Sequence, residues 1–228
     1  LEAHGHTVVS YVRSNHELDR MTIFQKNLLP FSMIFSWKTY REVKKMIGEK
    51  KIDLVHVHNT LMMVSPSVFY AAFSQKIPVV QTLHNFRMEC PNGLFFRDGH
   101  VCEACVNANL WCAVRFKCYR NSTLQSLMST LIIKIHRILG TYRRVNFICL
   151  SEFNKSKLLE LNHDKSRIVD EKKVFIKPNF IEKAEKTAQV QKKNQYLYAG
   201  RLEAGKGIRV LLENWKAEFT TKLLICGT

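Results

Sequence analysis

The chain has 228 residues, of which 46% are hydrophobic and 24% charged, a composition typical of a globular protein with one core and room for part of another. Its 35 Lys and Arg against 19 Asp and Glu give a formal charge of +16, which favours an anionic partner: nucleic acid, an acidic lipid surface or a phosphorylated substrate. No stretch reaches the roughly 18 uninterrupted apolar residues of a membrane-spanning helix, which excludes such a span from the predicted elements.

The cysteine content and the two ends of the chain bear on where the protein works and on whether it is whole. Seven cysteines, an odd number, occur without an export signal, which favours a reducing compartment and hence the cytoplasm. Residues 1–11 have the pattern of a helix end, a Gly stop and a strand, and residues 222–228 that of a strand entering a turn. We therefore interpret the chain as an internal fragment of a longer protein.

Helical and strand signals alternate along the chain, which is the pattern of an α/β fold with a parallel sheet. In chain order, strands are predicted at residues 7–12, 54–58, 78–84, 147–150, 174–177 and 196–199 and within 222–228. Helices are predicted at residues 31–48, 66–74, 123–144, 152–161 and 208–215, with Gly48 ending the first and Ser151 capping the fourth.

Apolar spacing assigns the buried faces of two of these helices. In the first helix, the residues expected to point inward are Phe31, Ile34, Phe35, Val43, Met46 and Ile47. In the third helix, the expected buried stripe is Leu124, Leu127, Met128, Leu131, Ile135, Ile138 and Leu139. Each helix is therefore expected to pack along one apolar side.

Residues 86–120, which follow the strand at 78–84, have no apolar periodicity and are expected to be irregular. Loops this long in a compact domain are usually functional or pinned. Five cysteines fall within 29 positions: Cys90, Cys102, Cys105, Cys112 and Cys118. Thiolates on a C-x2-C turn with two more from flanking segments suit a structural zinc, while free buried thiols and a redox pair are the alternatives. Outside this segment, Cys149 and Cys226 are interpreted as small core residues.

Polar side chains follow two of the predicted strands. His84 and Asn85 end the strand at 78–84, at the carboxyl edge where open α/β sheets bind ligands; there His84 can serve as a hydrogen-bonding group or as a structural histidine. His56 and His58 lie on one face of the preceding strand. No carboxylate or third histidine is spaced to complete a metal site with them, so a polar cleft lining that includes Asn59 is the preferred interpretation.

A strand, a Gly-rich loop and a helix follow one another near the end of the chain. Arg201 and Lys206 lie five positions apart on this loop, between Gly200 and Gly207. A guanidinium grips two phosphate oxygens and a lysine supplies a point charge, so the loop can bind a diphosphate and stabilise the charge that grows on it as a leaving group. The alternative is a solvated basic loop.

These segments occur in the order found in the retaining glycosyltransferases of family 4, which have the GT-B fold, and the chain resembles that family. The resemblance rests on residues 4–9, 53–59, 80–85, 150–157 and 176–181 and on the loop at 200–207. It implies an N-terminal Rossmann-like domain at 1–180 with an insertion at 86–120, a linker at 181–194, and the beginning of a second Rossmann-like donor domain at 195–228.

The resemblance also implies an activity: transfer of a hexose from a nucleotide-diphosphate sugar to a glycan or lipid-linked oligosaccharide, with retention of configuration, in cell-surface polysaccharide biosynthesis. No cofactor is required for this catalysis in the family. The implied catalytic residue is His84. The implied donor-diphosphate residues are Gly200, Arg201, Lys206 and Gly207, and the implied acceptor-cleft residues are His58, Asn59 and Asn85. The family's Glu-x7-Glu pair and its N-terminal Gly-rich loop have no counterpart here, so a non-catalytic remnant is an alternative.

The 86–120 segment resembles an insertion found in a subgroup of these transferases that act on exported polysaccharides. That pattern implies Cys90, Cys102, Cys105 and Cys118 as the four zinc ligands and leaves Cys112 outside the set. A rival class, a zinc-stabilised basic nucleic-acid-binding module, accounts for the charge and the cysteines but not for the strand-end histidines or the 200–207 loop. Aromatic residues are not interleaved with basic ones as base stacking requires, so no nucleic-acid partner is expected.

Basic residues flank or line the helix after the insertion: Lys117, Arg120, Lys134, Arg137, Arg143 and Arg144. Lipid-linked acceptors lie at an anionic inner leaflet, where a basic amphipathic surface would dock. A solvated helix face is the alternative interpretation. The expected location is therefore cytoplasmic, with peripheral contact at the inner face of the plasma membrane.

Overall fold

The computed structural model describes residues 1–14, 16–17, 21–61, 63–165, 167–181, 193–216 and 219–227. Their contacts divide the chain into two compact units, Leu1–Asn179 and Phe180–Thr228, each with its own parallel sheet. Most of the predicted linker, residues 182–192, lies outside the described residues. Within the described ranges, no helix is long and apolar enough to cross a membrane.

The first unit alternates helices and strands. Its α-helices are α1 (Ile23–Ile34), α2 (Trp37–Lys50), α3 (Ser67–Ser74), α4 (Ala104–Asn107), α5 (Trp111–Arg115), α6 (Thr123–Ile138) and α7 (Glu152–Leu159). Its strands are β1 (Val55–Val57), β2 (Val79–Leu83), β3 (Phe96–Arg97), β4 (His100–Val101), β5 (Asn146–Cys149) and β6 (Val174–Ile176). Short 3-10 helices lie at Glu2–His4, Thr141–Arg144, Glu160–Lys165 and Glu171–Lys173.

The main sheet has four parallel strands in the order β1-β2-β5-β6, which confirms the predicted α/β class. The strands predicted at 54–58, 78–84, 147–150 and 174–177 are confirmed to within one residue at each end. Because the strands are parallel, their carboxyl ends meet at one edge of the sheet. That edge carries the strand-end histidines.

Apolar side chains on both faces of the sheet form the core of the first unit. Val79, Phe147 and Cys149 are fully buried, and Phe69 of α3 packs into the same cluster. Parallel strands covered on both faces need such continuous apolar runs. Truncating a side chain as large as Phe147 would cost about 3–5 kcal/mol, so the strand ends are held by a rigid core.

Three helices begin at a serine whose hydroxyl caps the first turn. The Oγ atoms of Ser36, Ser122 and Ser151 accept the backbone N–H three residues ahead, at 3.2, 3.4 and 3.2 Å. Each such cap stabilises a helix by about 0.5–2 kcal/mol. The predicted cap at Ser151 is thereby confirmed.

The single helix predicted at 31–48 is wrong, because the segment belongs to two helices, α1 and α2. Ser36 separates them with an extended backbone at φ −92° and ψ 104°. Phe31 belongs to α1 and therefore does not continue the inward face of α2. Its side chain is 72% exposed rather than inward. Gly48 lies inside α2, which is closed instead by Lys51 in the left-handed region at φ 50°.

The helix predicted at 123–144 is shorter, and its buried face differs from the apolar stripe. α6 ends at Ile138, and Gly140 at φ 65° turns the chain into a 3-10 helix. Three predicted members of the stripe are 63–75% exposed: Leu124, Ile138 and Leu139. The buried side includes polar residues: Ser126, Ser129, Thr130 and His136.

Hydrogen bonds to the 86–120 segment explain this buried polar face of α6. The Ser129 hydroxyl donates to the Pro91 carbonyl at 3.0 Å, and the Thr130 hydroxyl donates to the Leu110 carbonyl at 3.4 Å. Serine and threonine therefore face inward because they satisfy buried backbone groups of a neighbouring segment. Hydrophobic periodicity has no means of detecting such partners.

Two further predictions on local structure are wrong. Residues 7–12 form no strand: they make no ladder with the described strands, and Val12 is 83% exposed. An apolar segment becomes a strand only where a neighbour pairs with its backbone; here Tyr11 instead packs on the core and donates its hydroxyl to Glu42 at 2.6 Å. The 86–120 segment is not wholly irregular, since it contains the β3–β4 hairpin and the short helices α4 and α5.

The second unit has two parallel strands and a helix. The elements are β7 (Gln195–Ala199), a 3-10 helix (Ala204–Lys206), α8 (Ile208–Asn214) and β8 (Lys222–Cys226). They confirm the strands predicted near 196–199 and within 222–228 and the helix predicted at 208–215. Cys226 is exposed rather than a core residue, whereas Cys149 in the first unit is buried as expected.

Candidate functional site at the carboxyl edge of the sheet

The carboxyl ends of β1 and β2 bring three histidines together. His58 Nδ1 and His84 Nε2 are 2.9 Å apart, and their ring planes differ by 23° with centroids separated by 5.2 Å. His56 Nε2 hydrogen-bonds the Thr82 hydroxyl at 2.8 Å, and its ring lies 4.5 Å from that of His58. Parallel pairing of β1 with β2 is what places residues 26 positions apart side by side.

The environment of His56 and His58 favours the neutral form of these two rings. Burial lowers the pKa of His56 below its ordinary value, and the neighbouring His58, His84 and Lys177 lower it further. Burial also lowers the pKa of His58, again with a contribution from His84. A neutral imidazole has one hydrogen-bond donor and one acceptor. The edge therefore presents hydrogen-bond donors and acceptors that can bind a ligand hydroxyl.

A cavity of about 60 Å³ opens beside the histidines. Its polar wall is formed by residues at the ends of β1 and β2: His58, Asn59, Gln81, Thr82, His84 and Asn85. Its apolar wall comes from α3, α6 and the loop between β2 and β3, through Phe69, Met88, Ile132 and Ile133. The combination of one polar and one apolar wall is typical of a small-ligand site.

The two predicted asparagines of the cleft shape their own turns. Asn59 Oδ1 accepts the Leu61 N–H at 3.0 Å, and Asn85 Oδ1 accepts the Arg87 N–H at 3.1 Å. Such turns fix the backbone where a strand ends. Both asparagines line the cavity, and each uses its side-chain oxygen to hold the chain in place beside the histidines.

The cavity residues that sequence reasoning missed include three with polar side chains: Gln81, Arg87 and Tyr142. Gln81 is 8% exposed, and its Oε1 has no hydrogen-bond partner among the described residues, so it is an acceptor in need of a donor. Arg87 begins the Arg-x-x-Cys-Pro motif of the insertion, a signal that could have identified it. Tyr142 follows α6 and had no local signal.

The five cysteines of the insertion lie close enough to influence one another. Burial, and then the charges of Cys90, Cys112 and Cys118, raise the pKa of Cys105 to about 12. Cys112, which the family pattern leaves out, therefore belongs to this cluster. All seven cysteines of the chain are free thiols. Among the residues that the structure describes, no group of three or more His, Cys, Asp or Glu has the arrangement of a metal site.

In the second unit, the loop after β7 carries the predicted phosphate-binding cations. Arg201 is largely exposed and forms an ion pair with Glu203, at 2.9 Å between Nη1 and Oε1. Lys206 ends the 3-10 helix, and Gly207 follows at φ 74°, a left-handed conformation that suits glycine. Exposed cations on a short loop can reach a solvent-borne anion.

Two contacts that sequence reasoning missed give this loop its shape. The Tyr198 hydroxyl lies within hydrogen-bond distance of the carbonyls of Arg201, at 3.0 Å, and Lys206, at 3.4 Å, and so ties the two ends of the loop together. Gly200 donates its N–H to Cys226 at 3.0 Å. A Cβ added at Gly227 would overlap the backbone of Gly200, so the close approach of these two segments requires glycine.

The basic residues around α6 do not all face solvent. Arg137 donates from Nη2 to the Met88 carbonyl at 2.5 Å and is largely buried, which corrects its assignment to a docking surface. Lys117 is exposed. Lys134 Nζ lies 4.7 Å from the ring centroid of Trp111, which is 42% exposed. Arg120, Arg143 and Arg144 are exposed as well. These arginines, Lys117, the partly exposed Lys134 and Trp111 thus remain as accessible basic and aromatic groups.

Comparison with known proteins places most of this architecture in one family. The family model for Glycosyltransferase Family 4 matches residues 1–182, which include the four-stranded sheet, the three histidines and the insertion. The loop at 200–207 lies beyond that match. Neither a curated protein nor a solved structure matches the chain. Since the match covers more than half of the chain, the protein belongs to glycosyltransferase family 4.

Proposed function

We propose that this glycosyltransferase moves a hexose from a nucleotide-diphosphate sugar to a glycan or lipid-linked oligosaccharide, with retention of configuration, in cell-surface polysaccharide biosynthesis. Family membership supplies the general activity and the need for a sugar donor and an acceptor. The observation that carries the proposal is the pairing of His58 with His84 at the carboxyl edge, above a cavity with one polar and one apolar wall. Such a site suits one face of a sugar ring.

The roles of the residues follow from their chemistry. His84 is proposed to hydrogen-bond the sugar near the reacting carbon, and His58, Asn59 and Asn85 to line the acceptor side. In the second unit, the 200–207 loop is proposed to bind the diphosphate through the charges of Arg201 and Lys206, with Gly200 and Gly207 allowing close backbone approach. These cations would balance the leaving-group charge without a catalytic cofactor.

A direct assay tests this function. Purified protein is incubated with a panel of nucleotide-diphosphate hexoses and with lipid-linked or soluble glycans, and acceptor-dependent release of nucleoside diphosphate is measured. The anomeric configuration of the product, read by NMR, tests retention. Binding of a nucleoside diphosphate without turnover would indicate a non-catalytic remnant. Salt-sensitive binding of single-stranded nucleic acid, with no nucleotide-sugar binding, would favour the nucleic-acid module.

The proposed location is the inner face of the plasma membrane, with Lys117, Lys134 and Trp111 as the contact. A basic residue near an anionic bilayer contributes about 1 kcal/mol, so Lys117→Ala combined with Lys134→Ala is expected to weaken binding to phosphatidylglycerol-containing vesicles about 30-fold. Lys45→Ala, at an exposed position on α2 in an ion pair with Glu49, is the control. Equal binding by all three proteins in a vesicle sedimentation assay would rule out this surface.

The structural zinc also remains a proposal. The thiols cluster, but among the described residues they do not have the arrangement of a metal site. Zinc would convert Cys90, Cys102, Cys105 and Cys118 to thiolates. It would offset the burial that raises the pKa of Cys105 and Cys118. Elemental analysis of protein purified without added metal is expected to find about one zinc per chain. Cys226→Ser, outside the insertion, should leave that content unchanged. A metal-free protein with an intact insertion would show that packing and hydrogen bonds alone hold the loop.

A further inference from the structure

The contact between His58 and His84 has a consequence for where hydrogens lie. At 2.9 Å, His58 Nδ1 and His84 Nε2 are at hydrogen-bond distance. Two bare ring nitrogens, or two N–H groups, would repel each other at this distance. One hydrogen therefore lies between the two rings, donated by one and accepted by the other.

The remaining hydrogen of the neutral pair has two places to go. Two neutral imidazoles carry two N–H hydrogens on four ring nitrogens, and one of these hydrogens is already shared. The other is on His58 Nε2 or on His84 Nδ1, and whichever nitrogen lacks it is a bare acceptor. The neutral pair thus presents one donor and one acceptor outward. The two roles exchange when the shared hydrogen moves to the other ring and, at the same time, the outward donor gives its hydrogen to solvent or ligand and the outward acceptor takes one up.

We propose that His58 is a positioning residue for His84, and that the two rings act as one donor–acceptor unit through the hydrogen they share. The shared hydrogen fixes the ring plane and the tautomer of His84, much as an orienting partner does for a catalytic histidine. This inference rests on the proposed function, in which His84 meets the sugar. It adds a role for His58 that differs from lining the acceptor side.

The surroundings of the pair limit how many protons it holds. The titratable or charged groups that face it are His56 from β1, Arg87 from the loop after β2, Tyr142 from the turn after α6 and Lys177 beyond β6. A first added proton is accommodated by the N–H···N bond. A second removes the only acceptor between the rings and places two like charges side by side, which repel each other.

Binding of a sugar hydroxyl should depend on how many hydrogens the two rings carry. A hydroxyl both donates and accepts a hydrogen bond, which the neutral pair matches with one acceptor and one donor. The singly protonated pair has two outward donors and no outward acceptor, so it loses half of that match. Sugar transfer is therefore expected to fall on the acid side as the pair takes its first proton.

Nitrogen NMR of the histidine rings tests the shared hydrogen without any substrate. In protein labelled with ¹⁵N-histidine, a scalar coupling across the hydrogen bond is expected between a ring nitrogen of His58 and one of His84. His58→Asn keeps a polar group near the Nδ1 position but cannot titrate, and His58→Phe keeps only the ring. Both variants should lose the coupling.

A matched control and an activity measurement separate this inference from the proposed function. His100→Asn, at an exposed position on β4, should keep the coupling. In the active transferase, His58→Phe is expected to lower kcat about 10-fold or more through lost orientation and to shift the acid limb of the pH profile, with His58→Asn recovering part of kcat. The inference is overturned if the wild type shows no coupling, or if His58→Phe keeps the wild-type kcat. A wild type that shows the coupling but transfers no sugar would instead contradict the proposed function.

Discussion

Arg201→Ala and Lys206→Ala are each expected to lower kcat/KM for sugar transfer about 100-fold or more, the scale for losing a group that stabilises charge in the transition state. Both side chains lie on the loop that Tyr198 ties together, so removing one cation leaves the loop shape intact. The effect should appear mainly in kcat, because negative charge on the diphosphate grows as the bond to the sugar breaks. Initial rates of nucleoside diphosphate release measure it.

The second unit also offers a matched control. Arg209 lies on α8, is exposed and pairs with Glu213 at 2.7 Å, so Arg209→Ala removes an equal charge away from the loop and should leave turnover unchanged. Glu203→Ala frees Arg201 from its ion pair and should not reduce activity. If the two loop variants keep the wild-type kcat/KM, the loop does not bind the donor diphosphate.

His84→Ala is expected to abolish most of the transferase activity, by about 100-fold, while the melting temperature barely changes. His84 is exposed at the edge of the sheet, so its removal leaves neither a core cavity nor a buried polar group without its partner. Activity and a thermal melt followed by circular dichroism, measured on the same preparation, give the two quantities.

His136→Ala is the informative contrast for this experiment. His136 is 1% exposed, and its ring bonds the Ile34 carbonyl and the hydroxyls of Tyr70 and Thr141. Its removal leaves buried groups unpaired and should lower the melting temperature markedly. If His84→Ala behaved in the same way, with activity lost in proportion to folded protein, His84 would be a structural residue and its catalytic role would be contradicted.

Local signals in the sequence were sufficient for the α/β class, the strands of the main sheet and the residues at their ends. Short apolar runs bounded by turn residues become strands wherever a neighbouring strand pairs with their backbone. A serine at the start of a helix caps it through a bond three residues away, which is why Ser151 was identified correctly. His58 and His84 could be placed at one edge because parallel strands end on the same side of a sheet.

Contacts between distant segments decided the rest. The buried face of α6 depends on the carbonyls of Pro91 and Leu110, which accept hydrogen bonds from hydroxyl groups of this helix. The break between α1 and α2 depends on the extended backbone at Ser36. Residues 7–12 have a strand pattern but no pairing partner among the described strands. Apolar periodicity measures only how a segment partitions from water, so it misses faces that are buried by hydrogen bonds.

The sequence by itself determined that histidines stand at the strand ends and that two cations share one loop. Only the tertiary structure decided that His58 Nδ1 and His84 Nε2 lie at hydrogen-bond distance, that Arg137 is turned inward to Met88, and that Tyr198 closes the loop around the cations. The physical reason is that a residue type and its spacing set what a side chain can bond. The partner of His84 lies 26 positions away along the chain, and that of Arg137 lies 49 positions away. The partners of Tyr198 are close in sequence, but the fold of the loop brings them to its hydroxyl.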